Sequence, residues 1–176
     1  KYFGAQNSAI ENINIKISKG DYIGIIGKSG SGKSTLVDIM LGLLKPSQGQ
    51  VLFNGQDLEK NLIQLQSKSA YLPQETFIMD NSFKDNITLE ESPDNIDFEK
   101  LNQSIERSKL FKVIDKLPLG VNSRLGENGV FLSGGQRQRI SLARSFYYDR
   151  EFLIFDEATS ALDEETEQEI YDVIKK

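Results

Sequence analysis

Hydrophobic and polar positions change period several times along the chain. Ile13, Ile15 and Ile17 alternate with polar residues, which predicts a half-buried strand. Ser18-Lys19-Gly20-Asp21 reads as a turn, and residues 22–26 form a short apolar strand ahead of a glycine-rich loop over 27–32. From Lys33 the pattern turns helical, with Leu36, Ile39, Met40 and Leu43 at helical spacing until Pro46 stops it. Val51-Leu52-Phe53 predicts a strand ending at the turn pair Asn54-Gly55, and residues 69–72 another. Over 97–109 one helix face carries Phe98, Leu101 and Ile105; residues 111–117 continue helically until Pro118 and Gly120. Residues 133–147 are helical again, with Ile140, Ala143 and Tyr147 in register. Phe152-Leu153-Ile154-Phe155 is continuous apolar, which suits a parallel strand covered on both faces. A last helix carries Ile170, Val173 and Ile174. Strands alternating with helices predict an α/β domain with a largely parallel sheet and a helical insert in the middle.

Composition narrows this pattern little and excludes much. The 176 residues suffice for one domain with a real core. Hydrophobic residues make up 38% and charged residues 27%, as in ordinary globular proteins, and no long uncharged apolar run predicts a membrane span. No signal-peptide pattern opens the chain. The chain has no cysteine, hence no disulfide framework or thiolate metal site, in keeping with a cytosolic domain. It has no histidine either, which removes the commonest general base and metal ligand. A net charge of −5 argues against a nucleic-acid surface.

Three segments carry candidate chemistry. Gly27-Lys28-Ser29-Gly30-Ser31-Gly32-Lys33-Ser34, followed by Thr35, fits G-x-x-x-x-G-K-[ST] without a mismatch, between a predicted strand and a predicted helix. Glycines let the backbone curl its N–H groups toward phosphate oxygens, and the helix that follows presents its positive end to them. Lys33 would reach the β- and γ-phosphates of a nucleotide, and the Ser34 hydroxyl would bind Mg²⁺. Asp156 and Glu157 close the buried strand. Asp156 is placed to hold Mg²⁺, directly or through water, and Glu157 to orient or deprotonate an attacking water. Alone, such a pair reads as solvated acids at a strand end; beside a phosphate loop it reads as the second half of a nucleotide site. Leu132-Ser133-Gly134-Gly135-Gln136 opens a helix with a serine and two glycines, a second anion site by the same physics. Arg137 and Arg139 by themselves suit a solvated helix face.

This last segment, continued by Arg137-Gln138-Arg139, resembles the signature motif of ABC ATPases, and the resemblance covers essentially the whole chain. It implies a P-loop NTPase core with a mainly parallel sheet, a small antiparallel β part near the N-terminus and an inserted α-helical subdomain over about 76–147. The whole chain, 1–176, would then form one ATPase domain shortened at its C-terminus. ATP and Mg²⁺ are the implied cofactors. Ser133, Gly134, Gly135 and Gln136 would serve a nucleotide held by a second, head-to-tail ATPase domain. Tyr71-Leu72-Pro73-Gln74 resembles the Q-loop, whose glutamine meets Mg²⁺ or the attacking water; otherwise it is an ordinary surface loop. Ser160-Ala161-Leu162-Asp163 resembles the D-loop that crosses the dimer interface; by itself Asp163 would cap the next helix. Tyr2 is placed like the family's adenine-stacking aromatic, and equally like an edge-strand tyrosine. The resemblance thus implies Lys33, Gln74 and Glu157 as catalytic and Ser34, Gln74 and Asp156 as metal-binding. The family's switch histidine lies beyond Asp163, and this chain reaches Lys176 without one.

The segment 118–129 contains Gly126-Glu127-Asn128-Gly129 and resembles the exporter element that faces the transmembrane domain's cytoplasmic loops. Residues 76–87, with Phe77, Ile78, Met79 and Phe83, resemble the exporter segment that docks coupling helices; the alternative is core of the helical insert. Residues 126–138 and 155–159 are similar to flippases of lipid A and of lipid-linked oligosaccharides. The resemblance therefore implies an ATPase at the cytoplasmic face of the inner membrane, working on a transmembrane domain outside this chain. A soluble ABC-type ATPase acting on nucleic acid or ribosomes is the alternative; it would carry a tandem ATPase domain or coiled-coil insertions and a basic surface. A purely regulatory nucleotide-binding module would lack Lys33, Asp156 or Glu157.

Overall fold

The computed structural model describes residues 7–89, 92–156 and 164–174, which group into two compact units, Lys1–Ser69 and Ala70–Lys176. Each is mixed α/β with small sheets, as expected of the fold class.

In the first unit the glycine-rich loop runs into helix α1 (Lys33–Met40). The helix stops well before Pro46. The Leu43 amide donates to the Asp38 carbonyl at 2.8 Å and the Gly42 amide to Ile39 at 3.1 Å, with Gly42 in the left-handed region. That is a Schellman-type end, so Gly42 rather than the proline is the stop signal. Strands β1 (Leu52–Phe53) and β2 (Gln56–Asp57) form an antiparallel hairpin about Asn54-Gly55, both at positive φ, as the turn pair predicts. Helix α2 (Leu58–Lys68) follows, opened by the Asp57 carboxylate, which accepts from the Glu59 amide.

The strands expected over 13–17 and 22–26 are not formed. No ladder involves them, and Ile13, Ile15, Tyr22, Ile23 and Ile26 are exposed, Ile26 at 98%. An apolar run becomes a strand only when a neighbour supplies its hydrogen bonds, and among the described residues none does.

The second unit is built around helix α6 (Gly134–Tyr147), which is apolar on two sides. Ile140, Ala143 and Tyr147 join a cluster with residues of α3 (Phe83–Thr88), α4 (Phe98–Arg107) and α5 (Phe111–Ile114). Leu142 and Phe146 face a second cluster with Leu72 of β3 (Ser69–Leu72), Leu153 and Phe155 of β4 (Phe152–Phe155), and Ile170 of α7 (Glu164–Ile174). Strands β3 and β4 pair with each other. On α4, Leu101 and Ile105 are buried as expected, whereas Phe98, placed on the same face from sequence, is 56% exposed. Helix α3 was not predicted from periodicity. Its six residues are too few to show a period, and it is held by a capping box between Ser82 and Asp85.

Candidate nucleotide-binding site

The phosphate loop is shaped by its glycines. Gly30 and Gly32 lie at φ +77° and +90°. A Cβ on Gly32 would stand 2.6 Å from the Ala9 carbonyl oxygen and 2.5 Å from Ile10 Cγ2, so only glycine fits that turn. The Ser31 amide donates to the Lys28 carbonyl, and the Leu36 amide to Gly32, which closes the first turn of α1. The amides of Gly30, Gly32, Lys33 and Ser34 have no acceptor among the described residues. The Lys33 ammonium curls back over the loop, donating to the Gly27 carbonyl at 2.9 Å and to Lys28 at 3.0 Å. A cradle of amides with one cation across it has the donor set that a polyphosphate needs. Ser34, in the first turn of α1, is exposed, and Thr35 follows half-buried. Lys28, Ser29 and Ser31 are exposed along the loop.

The remaining described candidates lie in the second unit. Asp156 follows β4, its amide bonded to the Leu72 carbonyl at 3.0 Å, which brings it beside the strand leading to Gln74. Tyr71 Oη donates to Asp156 Oδ2 at 2.7 Å, orienting the carboxylate and leaving Oδ1 to a further ligand. Sequence reasoning missed this link; only the pairing of β3 with β4 creates it. Gln74 is exposed beyond Pro73. No group of three or more acidic, histidine or cysteine side chains able to hold a metal is found among the described residues. Within this unit a single carboxylate and an amide oxygen suit Mg²⁺, which keeps water and phosphate oxygens as its other ligands rather than an all-protein cage. Glu157, Tyr2 and Asp163 lie outside the described residues.

At the signature, Ser133 is the N-cap of α6. Its hydroxyl accepts from the Gln136 amide at 3.2 Å, and the Gln136 side chain accepts from the Ser133 amide at 3.0 Å. This reciprocal box leaves the Ser133 O–H as a donor, and the amides of Gly134 and Gly135 have no acceptor among the described residues. The helix therefore opens on an exposed serine hydroxyl and two unbonded amides, an arrangement for an anion. The pattern S-x-x-Q is the sequence signal of such a capping box. Arg137 and Arg139 are not a solvated face. They are half-buried, and donate to the Leu132 and Lys109 carbonyls.

The segment expected to dock coupling helices divides residue by residue. Phe77 is 70% exposed, whereas Ile78 is 2% exposed and lies under Gly129, where an added Cβ would stand 3.0 Å from it. Ile78 and Phe83 are core rather than docking residues, because the chain folds back against α6 between Phe77 and Met79. Gly126-Glu127-Asn128-Gly129 forms a short 3₁₀ turn with Glu127 and Asn128 exposed.

A glycine-lined cradle of amides, a carboxylate at a strand end and a second amide-rich helix opening are features of the P-loop nucleotide-binding class. The chain belongs to the ABC transporter family, whose pattern matches residues 10–160. It is 36% identical, over 97% of its length, to the ATP-dependent lipid A-core flippase of Cupriavidus pinatubonensis (strain JMP 134 / LMG 1197). It is 44% identical, over 95% of its length, to the alpha-hemolysin translocation ATP-binding protein HlyB of Escherichia coli O157:H7. The chain spans 29% and 24% of those two proteins. A bacterial Atm1-family ABC exporter with ATP bound superposes with a TM-score of 0.81 at 31% identity, over 90% of this chain and 28% of that one. Among the described residues no helix is long and apolar enough to cross a membrane.

Proposed function

We propose that this chain is the ATP-binding and hydrolysing engine of an ABC exporter, one ATPase domain whose helical insert occupies about 76–147. The observation that supports the reading is that one chain presents two helix openings with unbonded backbone amides, at α1 and at α6. In the sandwich reading, the loop over 27–34 holds the polyphosphate of its own ATP, with Lys33 on the β- and γ-phosphates. Ser34, Gln74 and Asp156 would hold Mg²⁺, which would supply charge neutralisation at the β- and γ-phosphates. Glu157 takes a proton from the attacking water, and Gln74 orients that water. Ser133 and the amides of Gly134 and Gly135 bind the γ-phosphate of the ATP carried by a second, head-to-tail copy, with Gln136 holding that turn in shape. Tyr2 stacks on adenine, and Asp163 crosses the interface.

Phe77 and the turn at Glu127 and Asn128 face a transmembrane partner, which sets the domain at the cytoplasmic face of a membrane. The relatives' names include a lipid flippase and a protein translocator, so the cargo follows from the membrane half rather than from this engine. A nucleic-acid role finds no support in an acidic chain.

The test is Glu157→Gln in this protein. The variant should dimerise through its ATPase domains in Mg-ATP and not in Mg-ADP. A monomer in every nucleotide state, in protein shown to bind ATP, refutes the sandwich.

A further inference from the structure

Buried Asn86 and half-buried Arg144 form a polar hub that neither the phosphate chemistry nor the signature uses. Asn86, on α3, is fully buried with all its hydrogen-bonding capacity engaged. Its Oδ1 accepts from the Met79 amide at 2.8 Å. Its Nδ2 donates to the Met79 and Ser82 carbonyls at 3.0 Å each, with Asn81 at 3.4 Å. Arg144, three turns along α6 from Ser133, closes the hub from the other side. Its Nε donates to the Asn86 carbonyl at 2.7 Å, and one Nη donates to the Phe77 carbonyl at 2.8 Å and to Asn86 Oδ1 at 3.4 Å. Burial lowers the Arg144 pKa from its usual value.

The hub joins two parts of the second unit. One is the stretch that begins three residues after Gln74, with Phe77 as its exposed tip. The other is the helix whose first turn is the signature. Apolar packing on both sides of α6 makes that helix a rigid rod, so a displacement at Arg144 reaches Ser133, about 16 Å away at 1.5 Å per residue. We infer that Arg144 is a positioning residue: with Asn86 it clamps residues 77–79 onto α6, so that this segment and the Ser133 end of the helix move as one body. The inference rests on the sandwich reading for its consequence, that nucleotide at Ser133 is felt at Phe77 and the reverse. The clamp is a contiguous set of hydrogen bonds between two named elements. Residues 80–83 have a separate attachment. The Leu125 amide donates to Asn81, the Phe83 amide to Ser123, and Arg124 to the Asp80 carbonyl. Loosening Arg144 therefore leaves the segment tethered and the unit folded.

Arg144→Lys keeps the charge and removes the fork that reaches two carbonyls at once. Amide exchange on the full-length protein, with and without a non-hydrolysable ATP analogue, reads the coupling. In the wild type the analogue should slow exchange both at residues 134–136 and at Met79. In Arg144→Lys the response at 134–136 should persist and that at Met79 should disappear. The kcat for ATP should fall about tenfold while ATP affinity stays within about twofold. An unchanged Met79 response in the variant overturns the proposal, as does a fall in ATP affinity matching that in kcat. If the analogue protects neither site in the wild type, the sandwich reading has failed, and the clamp is judged alone by a double-mutant cycle of Arg144→Lys with Asn86→Asp. Non-additive losses of stability support a shared hub, and additive losses refute it. Arg144→Gln replaces Arg144→Lys in each measurement if the lysine variant does not fold.

Discussion

Ser133 caps α6 and, in the sandwich reading, also binds phosphate, and a pair of substitutions tells the two apart. Its hydroxyl oxygen caps α6 by accepting from the Gln136 amide, and its O–H stands free beside the unbonded amides of Gly134 and Gly135. Ser133→Ala removes both duties. Losing an N-cap costs about 1 kcal/mol, which should speed local amide exchange at Gln136 about fivefold. Ser133→Asp retains the cap, since aspartate accepts from the same amide and its charge suits the positive helix end. It also places a carboxylate where the sandwich reading docks a phosphate. One such charge about 4 Å from a phosphate charge, at the effective dielectric of about 20 found near protein surfaces, costs about 4 kcal/mol, or roughly a thousandfold in affinity. The two rankings therefore diverge. Exchange at Gln136 should order wild type and Asp together, with Ala faster. ATP-dependent association, measured by size-exclusion chromatography with a non-hydrolysable analogue, should order wild type, then Ala, with Asp abolished. If the aspartate variant associates as well as the wild type, Ser133 is a helix cap and nothing more, and the anion reading of the signature is wrong.

Three further outcomes are expected. Lys33→Ala removes a cation whose charge-assisted bonds are worth roughly 1.5–3 kcal/mol each, so titration with a fluorescent ATP analogue should show binding at least about tenfold weaker; equal affinities would take Lys33 out of the site. Tyr71→Phe deletes the donor that orients Asp156, and the Mg²⁺ concentration for half-maximal ATPase should rise about tenfold, the lower end of outer-shell effects; an unmoved Mg²⁺ profile would show that Asp156 needs no such support. Phe77→Asp should leave thermal stability intact and uncouple transport from ATP use, whereas Ile78→Asp should unfold the second unit; the opposite pattern would reverse the division between docking and core residues.

Much of the local geometry around the candidate site was legible in the chain. The phosphate loop is a local device: glycine spacing dictates its backbone, and the following lysine and hydroxyl are fixed in sequence by that curl. The signature is equally local, a serine, two glycines and a capping glutamine within four residues. The Asn54-Gly55 hairpin and the buried face of α4 at Leu101 and Ile105 also follow from neighbours along the chain. Short-range geometry needs no tertiary partner, so residue type and spacing suffice.

Tertiary structure decided what depends on residues far apart. Tyr71 and Asp156 meet across 85 positions because β3 pairs with β4, and Arg144 reaches Phe77 across 67 because the chain folds back over α6. Within three consecutive apolar residues, Phe77 faces out and Ile78 in, a choice made by the space under Gly129 and not by hydrophobicity, which is similar for both. Periodicity put strands at 13–17 and 22–26, but a strand exists only through its partner's hydrogen bonds, and no run of residues carries its partner within itself.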